Sequence, residues 1–90
     1  MILSSYSNAK IYKIINSIDD QIYVGSTIQS LNRRFSKHKS NVKLYPERKL
    51  YQHFTKHGIE HFEIVLIKKY PCDNRTELEI EEEIIKLLLS

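Results

Sequence analysis

Cys72 is the only cysteine in a chain of 90 residues, so neither an internal disulfide nor a cysteine-built zinc site can hold this fold together. A chain this short lies near the lower limit for burying a core without such staples. Its strands and helices must therefore each give an apolar face to the interior, and one domain over residues 1–90, with its core at about 9–89, is expected. The two Gly and two Pro leave little for linkers, so order is expected outside the termini. Met1 to Ser7 lacks the charged-then-apolar layout of a signal peptide, and no apolar run reaches membrane-spanning length. The expectation is an intracellular chain that is not secreted and has no membrane partner.

The net charge of +3 is modest, but its distribution is uneven. Arg33, Arg34, Lys37, Lys39, Lys43, Arg48 and Lys49 place seven of the fourteen Lys and Arg in one segment. Five of the eleven acids fall between Glu77 and Glu83. Such a basic segment suits a polyanion, although the same pattern also serves as plain solvated surface.

The order of elements follows from periodicity and turn chemistry. Lys10 to Ile15 and Gln21 to Ser26 are rich in β-branched and aromatic residues, and "NSIDD" between them is turn chemistry, which predicts an antiparallel hairpin. "STIQS" offers hydroxyl N-caps, after which Leu31, Phe35, His38 and Val42 recur at helical spacing. Pro46 interrupts. "RKLYQHFTKHG" predicts a second helix with Leu50 and Phe54 inward and Gly58 as its cap. "EHFEIVLIKKY" predicts a third strand with Phe62, Ile64 and Leu66 on its buried face. Asn74 with Glu77 forms a capping box for a last helix. The result is an α+β fold, a small, mainly antiparallel three-stranded sheet flanked by helices, in the order β-β-α-α-β-α.

Several side chains are candidates for chemistry as well as for packing or plain surface. Tyr12 and Tyr23 sit on the two arms of the hairpin, where aromatic residues also pack for their own sake. Arg34 and His38 are four apart and share a helical face. On a helical wheel of the last helix, Leu78, Ile84, Ile85, Leu88 and Leu89 fall on one arc with Glu81 near its middle and Glu82 at its rim. A carboxylate there meets a cation or opens onto a cleft, unless the helix is rolled and Glu81 is simply exposed. His53 and His57 have the spacing of a zinc pair, but no acid lies between them and Gly58 breaks the helix before His61, so no metal is expected there.

"KIY" at Lys10–Tyr12, "YVG" at Tyr23–Gly25 with Ser26 and Thr27 behind it, "LNRRFSKH" at Leu31–His38, "KHG" at Lys56–Gly58 and "IEEEIIK" at Ile80–Lys86 together resemble the GIY-YIG nuclease domain, of the homing-endonuclease and excision-repair kind. The resemblance implies catalytic roles for Tyr12, Tyr23, Arg34, His38 and Glu81. Glu81 is matched to the family's metal-binding glutamate through the "IIK" that follows; counting from Leu78 would favour Glu82, and the wheel decides for Glu81. Lys10 stands where the family's first glycine would be, and no residue up to Ser90 matches the asparagine that the family often has after the last helix, as in a fragment or a minimal version of the domain.

What the resemblance implies is metal-dependent hydrolysis of DNA phosphodiester bonds. Glu81 would hold one divalent ion, Mg²⁺ or Mn²⁺, with no small-molecule cofactor. Arg34 would fork onto the phosphate, Tyr12 would help deprotonate water, and Tyr23 and His38 would orient water or relay protons. Gly25, Ser26, Arg33, Arg34, Lys37 and Lys39 would contact the nucleic acid. The alternative is a nucleic-acid-binding module of the same fold that has lost cleavage.

Overall fold

Asn16 and Asp19 build the first turn with their own side chains. Asn16 Oδ1 accepts the N–H groups of Ile18 and Asp19, both at 2.8 Å, and Asp19 Oδ1 accepts that of Gln21 at 2.9 Å. Short polar side chains that mimic a backbone turn in this way join β1 (Lys10–Asn16) to β2 (Tyr23–Thr27). Because Gln21 lends its N–H to the turn, β2 starts two residues later than expected. The computed structural model describes residues 5–89, with only the backbone of Ser5; Ser90 and the part of the amino-terminal stretch up to Ser4 lie outside the described residues.

Pairing of β1 and β2 is antiparallel and sets Tyr12 opposite Gly25 and Ile14 opposite Tyr23. On the other side of β1 lies β3 (Phe62–Lys69), also antiparallel, so the three-stranded sheet runs β2-β1-β3. The register slips between Ile11 and Tyr12: Tyr12 faces Leu66 while Ile11 faces Lys68, and Ile67 is the extra residue of a bulge. Ile67 then packs with Ile11 on one face, and Lys68 reaches the last helix.

Three helices cover the sheet: α1 (Leu31–Leu44), α2 (Lys49–His57) and α3 (Arg75–Leu89). Ser30 Oγ caps α1 by accepting the Arg33 N–H at 3.2 Å, Gly58 ends α2 at φ 93°, and Asn74 Oδ1 accepts the Glu77 N–H at 3.0 Å to start α3. Each cap is the residue that the sequence offered. The order β-β-α-α-β-α is the one expected, with short 3₁₀ turns at Ser5–Asn8 and Ile59–His61 added.

Side-chain alternation along β1 splits the interior in two. Tyr12 and Ile14 point to the α1–α2 face and pack with Tyr51, Phe54 and Phe62; Ile11 points the other way and packs with Ala9, Val24 and Leu78 of α3. Leu66, expected inward, is 40% exposed. The cluster under α1 and α2 takes Phe62 and Ile64 and stops short of it.

The last helix is rolled relative to the expected wheel. Leu78 is buried and Ile85 packs against it, but Ile84 is exposed and Leu88 is 74% exposed. A three-stranded sheet is too narrow to cover the whole apolar arc of a 15-residue helix, so the contact stripe is Leu78, Glu81, Glu82 and Ile85. Among the described residues no helix is long and apolar enough to cross a membrane.

Candidate active site

A cleft of about 630 Å³ runs around the exposed edge of β2, lined by Tyr12, Tyr23, Ser26 and Arg34 on the strand and α1 side and by Glu79, Glu82 and Glu83 of α3. The hairpin supplies the phenols, α1 the guanidinium and α3 the carboxylates. Their meeting follows from the topology, since β2 is an edge strand and both faces reach its rim.

At the floor of the cleft the hydrogen bonds form a directed chain. Arg34 Nε donates to the Tyr12 hydroxyl oxygen at 3.2 Å. A guanidinium only donates, so the hydrogen of Tyr12 turns to His38 Nε2, 2.8 Å away. His38 Nε2 is therefore an acceptor and its proton sits on Nδ1, which donates to the Tyr51 hydroxyl at 2.9 Å. Asn41 Nδ2 donates to the same hydroxyl at 3.4 Å. Tyr12, His38, Asn41 and Tyr51 are all buried, which makes their orientation part of the core.

The electrostatics agree with this direction. Burial, with Arg34 and Arg48 nearby, pulls the His38 pKa down to about 4, so the imidazole is neutral at pH 7. Burial, together with Tyr23, drives the Tyr12 phenol well above its usual range even though Arg34 works the other way. Burial and the carboxylate of Glu82 raise Tyr23 as well. Tyr12 is fully covered, whereas Tyr23 is 36% exposed, so Tyr23 is the phenol on the wet side.

Of the two candidate glutamates, Glu82 lines the cleft and Glu81 does not. Glu82 Oε1 accepts the Ser26 hydroxyl at 2.5 Å, and Oε2 pairs with Lys86 at 2.8 Å. Glu81 turns to the opposite rim of α3, where its Oε2 meets Lys68 Nζ at 2.6 Å. The bulge in β3 that presents Lys68 is invisible to a wheel of α3 alone, and the wheel had assumed that the whole apolar arc was buried.

Gly25 and Ser26 lie in the site but not as open contacts. A Cβ on Gly25 would come within 2.5 Å of the Tyr12 hydroxyl oxygen and 2.6 Å of its Cζ, so the glycine exists to let the phenol lie across the strand. The Ser26 hydroxyl is spent on Glu82. Arg33, Lys37 and Lys39 are exposed along α1. Lys10 keeps the strand packing intact by carrying its ammonium to the Gln29 carbonyl at 2.7 Å.

Tyr51 and Asn41 are the residues that sequence reasoning missed. Nothing in the spacing of Tyr51 sets it apart from a core aromatic. Ser26 was noted, but its bond to Glu82 spans 56 positions and had no local signal.

The chain matches the model of the GIY-YIG catalytic domain over residues 8–90. Two proteins of Invertebrate iridescent virus 6 are similar over 73 residues, 81% of this chain: uncharacterized protein 019R at 38% identity and the putative MSV199 domain-containing protein 146R at 34%. The matched stretch is 26% of the first and 30% of the second, so the chain spans a fraction of their length. Among solved structures, the catalytic domain of homing endonuclease I-TevI has the same fold, with a TM-score of 0.74 at 24% identity over 90% of this chain and 87% of that one. The family match over nearly the whole chain, on a fold whose cleft gathers the hairpin tyrosines and the helical arginine, shows that the chain belongs to the GIY-YIG catalytic domain family, a family of nucleases.

Proposed function

We propose that this chain hydrolyses DNA phosphodiester bonds with one divalent ion, Mg²⁺ or Mn²⁺, held by Glu82 rather than Glu81. The observation that carries the reading is the bond from Ser26 to Glu82, which fixes a carboxylate in the same cleft as Tyr12, Tyr23 and Arg34. The donor set fits such an ion: a carboxylate only 18% exposed, with Glu79 and Glu83 beside it and a second lone pair on each oxygen beyond those used by Ser26 and Lys86. Hard ions that dehydrate reluctantly bind through one or two carboxylates and retain waters. When bound, the ion would neutralise phosphate charge and stabilise the departing 3′ oxygen.

The chain's own residues do the rest. Arg34 swings from the Tyr12 hydroxyl to fork onto the scissile phosphate, and this frees the Tyr12 oxygen to face the cleft. Water gives a proton to that oxygen as Tyr12 passes its own proton to His38 Nε2, the acceptor already aligned with it. The hydroxide attacks phosphorus and the bond to the 3′ oxygen breaks. Tyr23, on the wet side, orients the water, and the exposed cations of α1 hold the backbone of the DNA.

Supercoiled plasmid incubated with the protein in Mg²⁺, Mn²⁺ or chelator tests this. Nicking with either ion and none with chelator is expected, abolished in Glu82→Ala and kept in Glu81→Ala. Nicking kept in Glu82→Ala would remove the carboxylate from its role.

A further inference from the structure

We propose that Asp19, His53 and His57 form a second metal site, separate from the cleft, that takes a zinc-like transition ion and ties the β1–β2 turn to α2. The sequence offered only the two histidines, four apart on one helix. The fold brings them an acid from the hairpin turn, so that one ligand atom from each of the three residues lies within 4.8 Å of the others. Asp19 Oδ2 is 2.9 Å from His53 Nε2 and 3.5 Å from His57 Nε2. Tetrahedral zinc with bonds of about 2.0–2.1 Å sets its ligand atoms ~3.3 Å apart, close to both separations.

The carboxylate is aimed as a metal ligand is aimed. Asp19 Oδ1 is occupied by the Asn16 side chain at 3.0 Å and the Gln21 N–H at 2.9 Å, which leaves Oδ2 to the histidines. Such outer hydrogen bonds fix ligand direction in known metal sites. The His53 ring stands edge-on to Phe62 at 5.1 Å and to His57 at 4.7 Å, and both imidazoles are half-buried. Two nitrogens and one carboxylate oxygen suit zinc or cobalt better than Mg²⁺, and a water completes the tetrahedron. His61 is turned away, toward the Ser17 hydroxyl at 3.2 Å. The site would act as a staple for a chain that has no disulfide.

Chelator-treated protein titrated with Co²⁺, read by its visible absorption and then displaced with Zn²⁺, tests the proposal without DNA. Saturable binding of one ion per chain is expected, with a tetrahedral Co²⁺ spectrum. Zinc at ~100 times its dissociation constant should raise the melting temperature by roughly ten degrees or more. Asp19→Asn keeps the oxygen that closes the turn and loses the charge, so it should fold and lose the spectrum and the zinc-dependent shift. His57→Gln should do the same, while Glu82→Ala should keep both. No saturable uptake by the unmodified protein, uptake unchanged in Asp19→Asn and His57→Gln, or uptake lost in Glu82→Ala would each overturn the site. The last result would assign the ion to the cleft instead.

Discussion

The Tyr12 hydroxyl donates to His38 Nε2 across 2.8 Å because its other partner among the described residues, Arg34 Nε, is itself a donor. One arginine thus fixes the rotor of a phenol and, through it, the tautomer of a histidine. The chain runs on to Tyr51, so the state of the cleft is set partly by a residue in the core.

Tyr51→Phe is expected to fold but to weaken both stability and cleavage. The change removes the acceptor of His38 Nδ1–H in a buried place, which costs about 1–3 kcal/mol. A drop in melting temperature of several degrees for each kcal/mol is usual at this size, roughly 4–8 °C. Cleavage should fall about 10- to 100-fold, as for other groups that orient a reactive side chain through a hydrogen bond. A merely structural role would lower stability without moving the pH profile of single-turnover cleavage, and that profile is the measurement that decides.

Gly25→Ala should be as damaging as loss of Tyr12. Its Cβ would meet the phenol 2.5 Å from the oxygen, and Tyr12 is fully buried with nowhere to retreat. Overpacking of this kind costs about 1–3 kcal/mol. Tyr12→Leu in the same chain should recover most of that loss in stability and none of the activity. A double-mutant cycle by denaturant unfolding gives the coupling directly, and strict additivity would show that the two residues do not touch.

Acid should destabilise the fold in a window set by His38. Its folded pKa of about 4 lies below the unfolded value of 6.5, so between these limits the unfolded chain binds the extra proton. Stability is complete above pH 6.5, falls as pH drops towards 4, and stops falling on this account below it. The total is on the order of 3 kcal/mol. Asp19, with its carboxyl held down to about 2 from 3.8, adds a separate loss only below that range. Denaturant midpoints measured from pH 8 to 3 should show the His38 slope in the unmodified protein and not in His38→Gln.

Local signals carried the fold a long way. Ser30, Gly58 and Asn74 cap their helices because capping depends on residues a few positions apart, and "NSIDD" turned because Asn16 and Asp19 bond within the segment. The hairpin phenols and the Arg34–His38 pair were legible for the same reason. Glu82 was not. Its place depends on how far α3 rolls over a narrow sheet and on a β3 bulge that hands Lys68 to Glu81, both products of tertiary packing. Asp19 was hidden likewise, being 34 positions from the histidine that it bonds.

Arg34→Lys should lose most cleavage while Arg33→Lys loses little. Arg33 is exposed on the solvent side of α1, where, on the proposed function, its charge would add only a general attraction for DNA that lysine preserves. Arg34 reaches Tyr12 through Nε, and among the described residues its terminal nitrogens are left for a phosphate. Lysine keeps the charge, but it cannot hold the Tyr12 oxygen and then offer a planar fork to two phosphate oxygens. Loss of a well-placed donor to developing charge costs roughly 10²-fold or more in rate. The same substitution frees the Tyr12 rotor, so the His38 tautomer loses its constraint and the defect should exceed that of a phosphate contact alone. Single-turnover rates at saturating DNA separate this loss from weaker binding. Equal rates for Arg34→Lys and Arg33→Lys would mean that Arg34 only contributes charge, and the directed chain from Arg34 to Tyr51 would then have no part in the chemistry.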